Sequence, residues 1–254
     1  MVAADAVVPA AVPAYASGFA DHYDEWFAKP AAAAVELLAG LAGPGPVLEL
    51  GIGTGRVAVP LSERGVAVQG IDCSPEMVAA LRHKPGGRDI PVAMGDFADV
   101  AVPGVFSLIY VASGTFFELT SQDDQLRCLR NAARHLAPGG VVVLDAFLPE
   151  ALCQLAAAGD RAVPTAGDDP VRCTRTLDRA NQRYHSRYTV STPGGVQSVD
   201  VSFRYAGMGE LDLMARLAGL RLRDRWGGWG GGPVVDSSVF HVSCYEVDPG
   251  RTHG

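Results

Sequence analysis

The chain has 254 residues, of which 48% are hydrophobic and 19% are charged, and its formal net charge is -7. This length and composition predict one large α/β domain with a buried core, and they exclude a disordered or coiled-coil protein. The acidic balance argues against a nucleic-acid partner, because such partners are bound by clustered Lys and Arg side chains.

The amino-terminal part of the chain predicts helices rather than a targeting segment. Residues 15–41 carry apolar side chains at helical spacing, up to a stop at residues 43–45. The Ala-rich start has no Lys or Arg before Lys29, so it lacks the basic region of a signal peptide. No later stretch reaches the ~20 apolar residues that span a bilayer, and we therefore expect no membrane partner.

Five short apolar runs alternate with helical patterns in the next hundred residues. They predict strands at residues 47–50, 66–72, 91–95, 106–111 and 141–147. Runs that are apolar on both faces and separated by helices are typical of a parallel sheet covered on both sides. The clearest helix is predicted at residues 121–136, where Pro138-Gly139-Gly140 ends the pattern.

The last third of the chain predicts antiparallel strands. Segments 183–190 and 196–205 alternate polar and apolar residues around Thr192-Pro193-Gly194-Gly195, which is a hairpin signal, and a third strand is expected before them. We interpret residues of about 165–206 as a β insertion that is too short for a core of its own. A helix at about 208–218 and strands at 221–226 and 239–247 follow, and these two strands can close the sheet edge as a hairpin.

A glycine-rich motif connects the first predicted strand to the next helix. Residues 48–56 read Leu-Glu-Leu-Gly-Ile-Gly-Thr-Gly-Arg, and such glycines let backbone N–H groups approach a ligand at the carboxyl edge of a sheet. A dinucleotide site is the competing interpretation, but its pattern needs a glycine where Arg56 stands, and Glu49 precedes Gly51 by two residues. A tight turn without a ligand is the structural alternative.

Two more acids follow the next two predicted strands. Asp72 could accept hydrogen bonds from the vicinal hydroxyls of a ribose. Asp96 could accept a hydrogen bond from the exocyclic amine of an adenine, and Phe97 could border the adenine ring. Each acid also has a structural alternative, since Asp72 could cap a helix and Asp96 could be a turn residue. Three acids at the ends of three successive strands favour one nucleoside-sized site.

These motifs together resemble those of class I S-adenosylmethionine-dependent methyltransferases of the small-molecule, natural-product type, which act on N, O or C. The resemblance rests on residues 49–55, Asp72, Gly95-Asp96-Phe97 and residues 136–140, and it covers about residues 15–147. It implies a Rossmann-like, seven-stranded, mostly parallel sheet that ends in an antiparallel hairpin. It also implies S-adenosylmethionine as the cofactor and S-adenosylhomocysteine as the product.

The resemblance further implies a domain organisation and a cofactor site. Residues 1–45 would be a helical segment over the active site, and residues 46–254 the cofactor-binding domain with its β insertion. Ala112 would offer its carbonyl near the reactive end of the cofactor, and Tyr23 resembles a tyrosine that reaches the cofactor or the acceptor, although it could equally be a packed core aromatic. The other implied cofactor residues are Glu49, Gly51 and Gly53 at the methionine part, Asp72 at the ribose, and Cys73, Asp96 and Phe97 at the adenine.

Methyl transfer from a sulfonium is an in-line displacement, for which proximity and orientation can supply roughly 7 to 11 kcal/mol. A phenol or alcohol acceptor benefits from a general base, whereas an amine needs only to arrive deprotonated. The sequence selects no base, since His22, His185 and His241 are more often surface or packed residues. The residues expected on the acceptor side are Asp145, Phe147, Tyr188, Arg204 and Trp229.

Two further functions remain open at this point: a non-methylating, cyclase-like enzyme that binds the same cofactor, and a degenerate ligand-binding protein. The five cysteines are scattered without metal-binding spacing, so we expect no metal and predict buried thiols in the cytoplasm. The expected partner is a small-molecule methyl acceptor, and the expected oligomeric state is a monomer or a homodimer.

Overall fold

The computed structural model describes residues 20–27, 31–165, 170–192 and 195–250. Within these ranges the helices are α1 Tyr23–Trp26, α2 Ala32–Leu41, α3 Ala58–Glu63, α4 Pro75–His83, α5 Gln122–Arg134, α6 Pro149–Ala157 and α7 Met208–Leu217. The strands are β1 Val47–Leu50, β2 Val68–Asp72, β3 Val92–Met94, β4 Phe106–Val111, β5 Leu136–Phe147, β6 Arg161–Val163, β7 Val171–Asp178, β8 Arg183–Thr192, β9 Gly195–Arg204, β10 Leu220–Trp226 and β11 Phe240–Val247. Two 3₁₀ turns lie at Ala20–His22 and Thr115–Glu118.

The main sheet has seven strands in the order β10-β11-β5-β4-β1-β2-β3. Strands β1 to β5 pair in parallel, and β11 pairs antiparallel with both β5 and β10. The predicted seven-stranded sheet with its antiparallel hairpin is therefore confirmed. The strand order reverses between β1 and β4, which opens a crevice at their carboxyl ends where ligands bind in sheets of this type.

Both faces of this sheet are buried. Leu48 and Ile109 belong to one hydrophobic cluster, while their chain neighbours Val47 and Leu108 belong to another on the opposite face. This alternation within strands that are apolar throughout is what a sheet covered on both sides requires. The continuous apolar runs in the sequence therefore predicted the central strands correctly.

A second sheet of four antiparallel strands, in the order β6-β7-β8-β9, follows the main parallel strands. It confirms the predicted antiparallel insertion, its hairpin and the third strand before it. Strand β6 was not predicted, and it places the start of the second sheet at Arg161 rather than near residue 165. The central residues of the predicted hairpin turn, 193 and 194, lie outside the described residues.

Strand β5 begins earlier than the sequence predicts. Helix α5 ends at Arg134, and Leu136 already pairs with Phe106, after which the register shifts before Val141 pairs with Leu108. Gly140 occupies this irregularity, because a Cβ there would lie 2.8 Å from the carbonyl oxygen of Phe106. The Pro-Gly-Gly segment is thus a bulged extension of the strand, which the helix-stop interpretation did not anticipate.

The amino-terminal helical prediction holds where the chain is described, while residues 15–19 and 28–30 lie outside the described ranges. Helix α1 contacts two separate parts of the molecule. Thr54 Oγ1 donates a 2.8 Å hydrogen bond to Asp24 Oδ1, and Lys84 pairs with the same carboxylate. On its other side Trp26 and Phe27 pack against the second sheet. Helix α1 therefore connects the glycine-rich loop to the second sheet.

The cysteine prediction is only partly right. Cys128, Cys173 and Cys244 are buried, but Cys73 is exposed at the end of β2 and Cys153 is partly exposed. All five are free thiols. In the described part of the chain, no helix has the length and apolarity needed to cross a membrane.

Candidate active site

The loop after β1 brings backbone amides to the carboxyl edge of the sheet. Gly51 and Gly55 have φ angles of +73° and +74°, a region that glycine adopts without strain. A Cβ at Gly51 would lie 2.7 Å from the methyl carbon of Thr115, and one at Gly55 would clash with Leu81. Close packing as well as backbone conformation therefore requires these glycines.

Asp72 holds this loop against the end of β2. Its Oδ2 accepts a 2.7 Å hydrogen bond from the Gly53 amide, and its Oδ1 accepts one of 2.9 Å from the Ser74 amide. Ser74 itself caps α4 through the Met77 amide, so the capping alternative for Asp72 is wrong. Burial raises the pKa of Asp72 above its usual value. The carboxylate thus lies beside the loop and retains lone pairs for a ligand.

Glu49 is buried one strand away. Its Oε2 accepts a 2.8 Å hydrogen bond from the Tyr110 hydroxyl. Burial, with a smaller contribution from the charge of Asp72, raises the pKa of Glu49 to about 8, against the opposing effects of Tyr110 and Arg56. Near neutral pH this carboxyl group is therefore mostly protonated, and a cation beside it would favour its ionised form.

The predicted adenine residues lie at the ends of β2 and β3. Asp96 is exposed and accepts a 2.8 Å hydrogen bond from the Ala98 amide, whereas Phe97 is buried. Burial and the charges of Asp72, Glu118 and Asp96 raise the pKa of Cys73 to about 11. The structure thus brings the three predicted residues to one region, next to Asp72.

Sequence reasoning missed Glu118. This residue ends the 3₁₀ turn after β4, and its charge raises the pKa of Cys73, of Tyr23 on α1 and of Tyr184 on the second sheet. It is the next acid in the series that Glu49, Asp72 and Asp96 begin. The available signal was its place seven residues beyond the fourth predicted strand.

Tyr23 is partly buried between charged and aromatic groups. Burial and Glu118 raise its pKa, and Arg56 opposes them. Its ring lies 5.1 Å from that of Phe27, which in turn meets the edge of Tyr188 at 4.8 Å. Tyr23 is therefore a packed aromatic that also faces ionisable groups, and its contact with the cofactor or the acceptor stays a prediction.

A cavity of about 460 Å³ opens at the carboxyl ends of β4 and β5. Its lining is mostly apolar and includes the predicted residues Ala112, Asp145, Phe147 and Trp229. The complete lining is Ala34, Arg56, Val57, Ala112, Ser113, Gly114, Asp145, Ala146, Phe147, Trp229, Val239 and Phe240. A concave, apolar space with few polar groups is typical of a small-molecule site.

Asp145 is the carboxylate of this lining, and three donors engage it. Its oxygens accept hydrogen bonds from the Gly114 amide at 2.7 Å, the Ser113 amide at 3.0 Å and the Trp229 indole Nε1 at 3.0 Å. Ser113 has a φ of +71°, which an L-residue rarely adopts. Asp145 thus holds both the strained turn after β4 and the loop between β10 and β11, which carries Trp229.

Arg56 is a second site residue that the sequence did not predict. The sequence analysis used it only as evidence against a dinucleotide site. It lines the cavity, donates a hydrogen bond to Ser113 Oγ and lowers the pKa of Glu49 and Tyr23. The glycine loop and the cavity are therefore adjacent, and Arg56 connects them.

The structure does not bring Arg204 to this group, so its expected contact with the acceptor is a misassignment. Its guanidinium donates to Gln125 Oε1 at 2.8 Å, Gln182 Oε1 at 3.0 Å and Glu210 Oε1 at 2.6 Å. These partners connect β9 to α5 and α7. Arg204 is buried, and its charge is used within the fold.

The three histidines also lie apart from the cavity. His22 stacks on Trp26, and exposed His185 contacts Asp200. His241 is buried, and burial lowers its pKa to about 4. None of the cavity-lining residues in the described ranges is a histidine. Tyr188 does not line the cavity either, but it lies on the inward face of the second sheet, against Phe27.

Comparisons with known proteins agree with this geometry. Residues 47–140 match the family described as a methyltransferase domain. The chain is 34% identical over 194 residues to the cypemycin N-terminal methyltransferase of a Streptomyces species, which covers 76% of this chain and 79% of that protein. It is 30% identical over 155 residues to the dTDP-4-amino-2,3,4,6-tetradeoxy-D-glucose N,N-dimethyltransferase of Saccharopolyspora spinosa, covering 59% of this chain and 60% of that protein.

A solved structure extends the similarity to nearly the whole chain. The CcbJ methyltransferase from Streptomyces caelestis superposes with a TM-score of 0.83 at 35% sequence identity, covering 92% of this chain and 98% of that one.

Proposed function

We propose that this chain, which belongs to the S-adenosylmethionine-dependent methyltransferases, transfers the cofactor's methyl group to an amine nitrogen of a small-molecule acceptor. The observation that carries the amine assignment is the lining of the cavity. Its carboxylate, Asp145, is committed to three donors, and none of the described lining residues is a histidine. An amine acceptor needs no general base if it arrives deprotonated.

The names of two relatives support the same class of acceptor. One is named for methylation of a peptide amino terminus and the other for methylation of an amino sugar. Both acceptors are amines, although they differ in size and shape. We therefore propose a primary or secondary aliphatic amine without choosing between a peptide and a sugar.

The residues at the carboxyl edge fit the cofactor. We propose that Glu49, Gly51 and Gly53 contact its methionine part, and Asp72 its ribose. Gly53 has room for a ligand, because a Cβ there would meet only Met77, at 3.5 Å. Asp72 has two backbone donors and further lone pairs for hydroxyl groups.

The same proposal places the adenine between Cys73, Asp96 and Phe97, and the carbonyl of Ala112 near the reactive end. When bound, the cofactor supplies an electrophilic methyl group that is displaced in line. Tyr23, on the helix that spans the glycine loop and the second sheet, covers this region. The acceptor residues then include Phe147 and Trp229, with Tyr188 on the facing sheet.

The protein's own contribution is orientation and exclusion of water. The rings of Phe147, Trp229 and Phe240 line the cavity and give it an apolar surface. Such surroundings lower the pKa of a bound amine, because burial penalises the charged ammonium. Holding the neutral nitrogen in line with the methyl group can then supply most of the rate enhancement.

Titration calorimetry with S-adenosylhomocysteine tests the cofactor site. We expect micromolar binding that Asp72→Ala weakens at least tenfold, while Asp89→Ala, at an exposed aspartate, leaves it unchanged. Incubation with methyl-labelled cofactor and a panel of small amines and matching alcohols tests the reaction. Binding no tighter than millimolar, or label only in the alcohols, would overturn the respective part of the proposal.

We also propose that the protein acts in the cytoplasm, as a monomer or a homodimer, without a nucleic-acid partner. The support is that all five cysteines are free and that the net charge is -7. Light scattering of the purified protein gives the oligomeric state, and retention on a heparin column tests for nucleic-acid affinity.

A further inference from the structure

The inward face of the second sheet is apolar at both ends and polar in its middle. At one end Val171 and Val190 pack against α1. At the other end the rings of Tyr184 and Phe203 stack with centroids 4.4 Å apart, in the main core cluster. Between these ends lies a pair of cross-strand partners, Arg175 on β7 and Ser186 on β8. An insertion whose role was only to pack on the core would carry apolar residues at these positions.

Arg175 is a buried cation with no carboxylate partner among the described residues. The residue is only 9% exposed, and its Nε and Nη1 atoms have no hydrogen-bond partner in the described part of the chain. The opposing hydroxyl, Ser186 Oγ, is also buried, and the neutral Tyr188 phenol is the polar group that both side chains approach. Among the described residues no carboxylate oxygen lies within 4.0 Å of the Arg175 guanidinium. A guanidinium stays charged in proteins, so burying one unpaired is unfavourable unless a ligand compensates it.

The position of Arg175 connects it to the acceptor cavity. Its guanidinium carbon lies 5.8 Å from the ring centroid of Phe147, and that ring lines the cavity. On its own sheet Arg175 acts on Tyr188 and Tyr184, whose pKa values it lowers against the effect of burial. Tyr184 also feels the charges of Glu118 and Asp145. Arg175 therefore stands at the junction of the second sheet, the end of β5 and the acidic groups of the site.

We propose that Arg175 and Ser186 form an anion subsite that binds a carboxylate group of the acceptor. This inference rests on the proposed function, because it assigns a second anchor point to the molecule whose amine is methylated. Guanidinium N–H groups match the geometry of a carboxylate, and a hydroxyl can donate one more hydrogen bond to it. One cation and one hydroxyl suit a single negative charge.

The subsite gives the second sheet a specific task. An acceptor that carries both an amine and a carboxylate is held at two points, so its nitrogen is oriented and not only captured. The ring of Phe147 lies against the guanidinium, and the bound acceptor replaces part of this contact. The enzyme is therefore selective for acceptors that are acids over the corresponding amides.

The experiment compares α-amino compounds of one to four residues, each as the free acid and as the carboxamide. With wild-type enzyme and S-adenosylmethionine, kcat/KM for the acid exceeds that for its amide at least tenfold at one or more lengths. Arg175→Gln reduces this ratio to within twofold, and Ser186→Ala reduces it partly. Arg172→Gln, an exposed arginine on the same strand, is the matched control and keeps the ratio.

Calorimetry provides a second arm that needs no turnover. Each probe is titrated into protein saturated with S-adenosylhomocysteine, and the acid binds more tightly than the amide only when Arg175 is present. If this preference is seen but no probe is methylated, amine methylation fails and the anion subsite stands. Equal or absent binding of acid and amide overturns the subsite.

Thermal denaturation separates the subsite from a structural role. The ligand-free Arg175→Gln protein melts at or above the wild-type temperature, because the variant removes an uncompensated charge. A lower melting temperature together with an unchanged acid preference would mean that Arg175 only supports Phe147, and would overturn the proposal.

Discussion

Glu49 is the residue whose ionisation is most sensitive to a ligand in this site. Its carboxyl group is buried, accepts a hydrogen bond from Tyr110 and has a pKa raised to about 8. If the cofactor's α-ammonium lies beside it, as we propose, binding favours the ionised form and lowers that pKa. Binding below pH 8 must then release a proton, and the affinity depends on pH.

We therefore predict that the affinity for S-adenosylhomocysteine rises between pH 6 and pH 8 and levels off above the free-protein pKa. The affinity can rise by at most about tenfold per pH unit when one proton is released. Calorimetry in buffers of different ionisation enthalpy measures both the affinity and the proton release. Glu49→Gln should remove the pH dependence and weaken binding at pH 8.5. A flat wild-type profile below pH 8 would contradict the assignment of Glu49 to the ammonium.

Asp145, which was predicted to contact the acceptor, lines the cavity and also positions its neighbours. We predict that Asp145→Asn lowers stability by about 1–3 kcal/mol, because an amide accepts through one oxygen and leaves a buried donor unpaired. At this chain length that corresponds to a fall in Tm of roughly 2 to 12 °C. Asp236→Asn, at an exposed aspartate between β10 and β11, should leave Tm unchanged.

Kinetic and binding measurements separate the effect of Asp145 on the acceptor reaction from its effect on cofactor binding. Asp145→Asn should lower kcat/KM for the acceptor, while the affinity for S-adenosylhomocysteine changes less than twofold, since the glycine loop is held by Asp72. Trp229→Phe keeps the aromatic surface but removes the indole donor, so the double variant should lose less than the sum of the two single losses. Strict additivity would argue against the coupling of Trp229 to Asp145.

At the scale of elements, α1 is the connection between the glycine loop and the second sheet. Asp24 accepts a hydrogen bond from Thr54 and pairs with Lys84, while its exposed neighbour Glu25 contacts His22. We predict that Asp24→Ala increases the dissociation rate of S-adenosylhomocysteine severalfold, because the helix is released from the loop. Stability should change by less than about 1 kcal/mol, since the pair is partly exposed.

Glu25→Ala is the matched control for this prediction and should leave the dissociation rate unchanged. Stopped-flow measurement with a displacing excess of S-adenosylmethionine gives the rate directly. An equal effect of the two substitutions would show that α1 acts through general packing and not through the Asp24 contacts.

The elements also show how far the sequence predicts this fold. Continuous apolar runs predicted β1 and β4 because both faces of those strands are buried. Strand β6 was missed because it has three residues, none of them fully buried, and so has no pattern to read. The early start of β5 was missed because its bulge depends on the close approach of Gly140 to Phe106, a tertiary contact.

The sequence predicts the site residues whose type and place in a motif are both recognisable. It does not predict residues that only the tertiary fold brings to the site. The glycines of the loop after β1 were recognisable because a turn with positive φ angles requires that residue type. Asp72 was recognisable from its place at a strand end. Glu118 and Arg56 were missed because only the fold brings Glu118 near Cys73 and Tyr23, and Arg56 into the lining of the cavity. Arg204 was misassigned because its charge is used by partners within the fold, and no spacing in the sequence indicates its contact with Gln125, 79 residues away.

At the scale of the whole molecule, the two sheets share a core. Tyr184 and Val201 of the second sheet belong to the same hydrophobic cluster as Leu144 of the main sheet, and Trp26 on α1 packs against the second sheet. A sheet that buries its apolar face in a common cluster has little stability of its own. The insertion should therefore unfold together with the main sheet, as a single cooperative unit.

This prediction is tested with a variant in which Trp26 is the sole tryptophan, made by Trp226→Phe and Trp229→Phe. Its fluorescence reports the second sheet, and far-ultraviolet circular dichroism reports the entire chain, so the two melting curves should coincide. S-adenosylhomocysteine at one hundred times its Kd stabilises the native state by about 2.7 kcal/mol, which corresponds to roughly 5 to 11 °C. Because α1 joins the glycine loop to the second sheet, both signals should shift equally. An earlier fluorescence transition that the ligand leaves in place would show that the insertion unfolds separately, and that cofactor binding does not reach it.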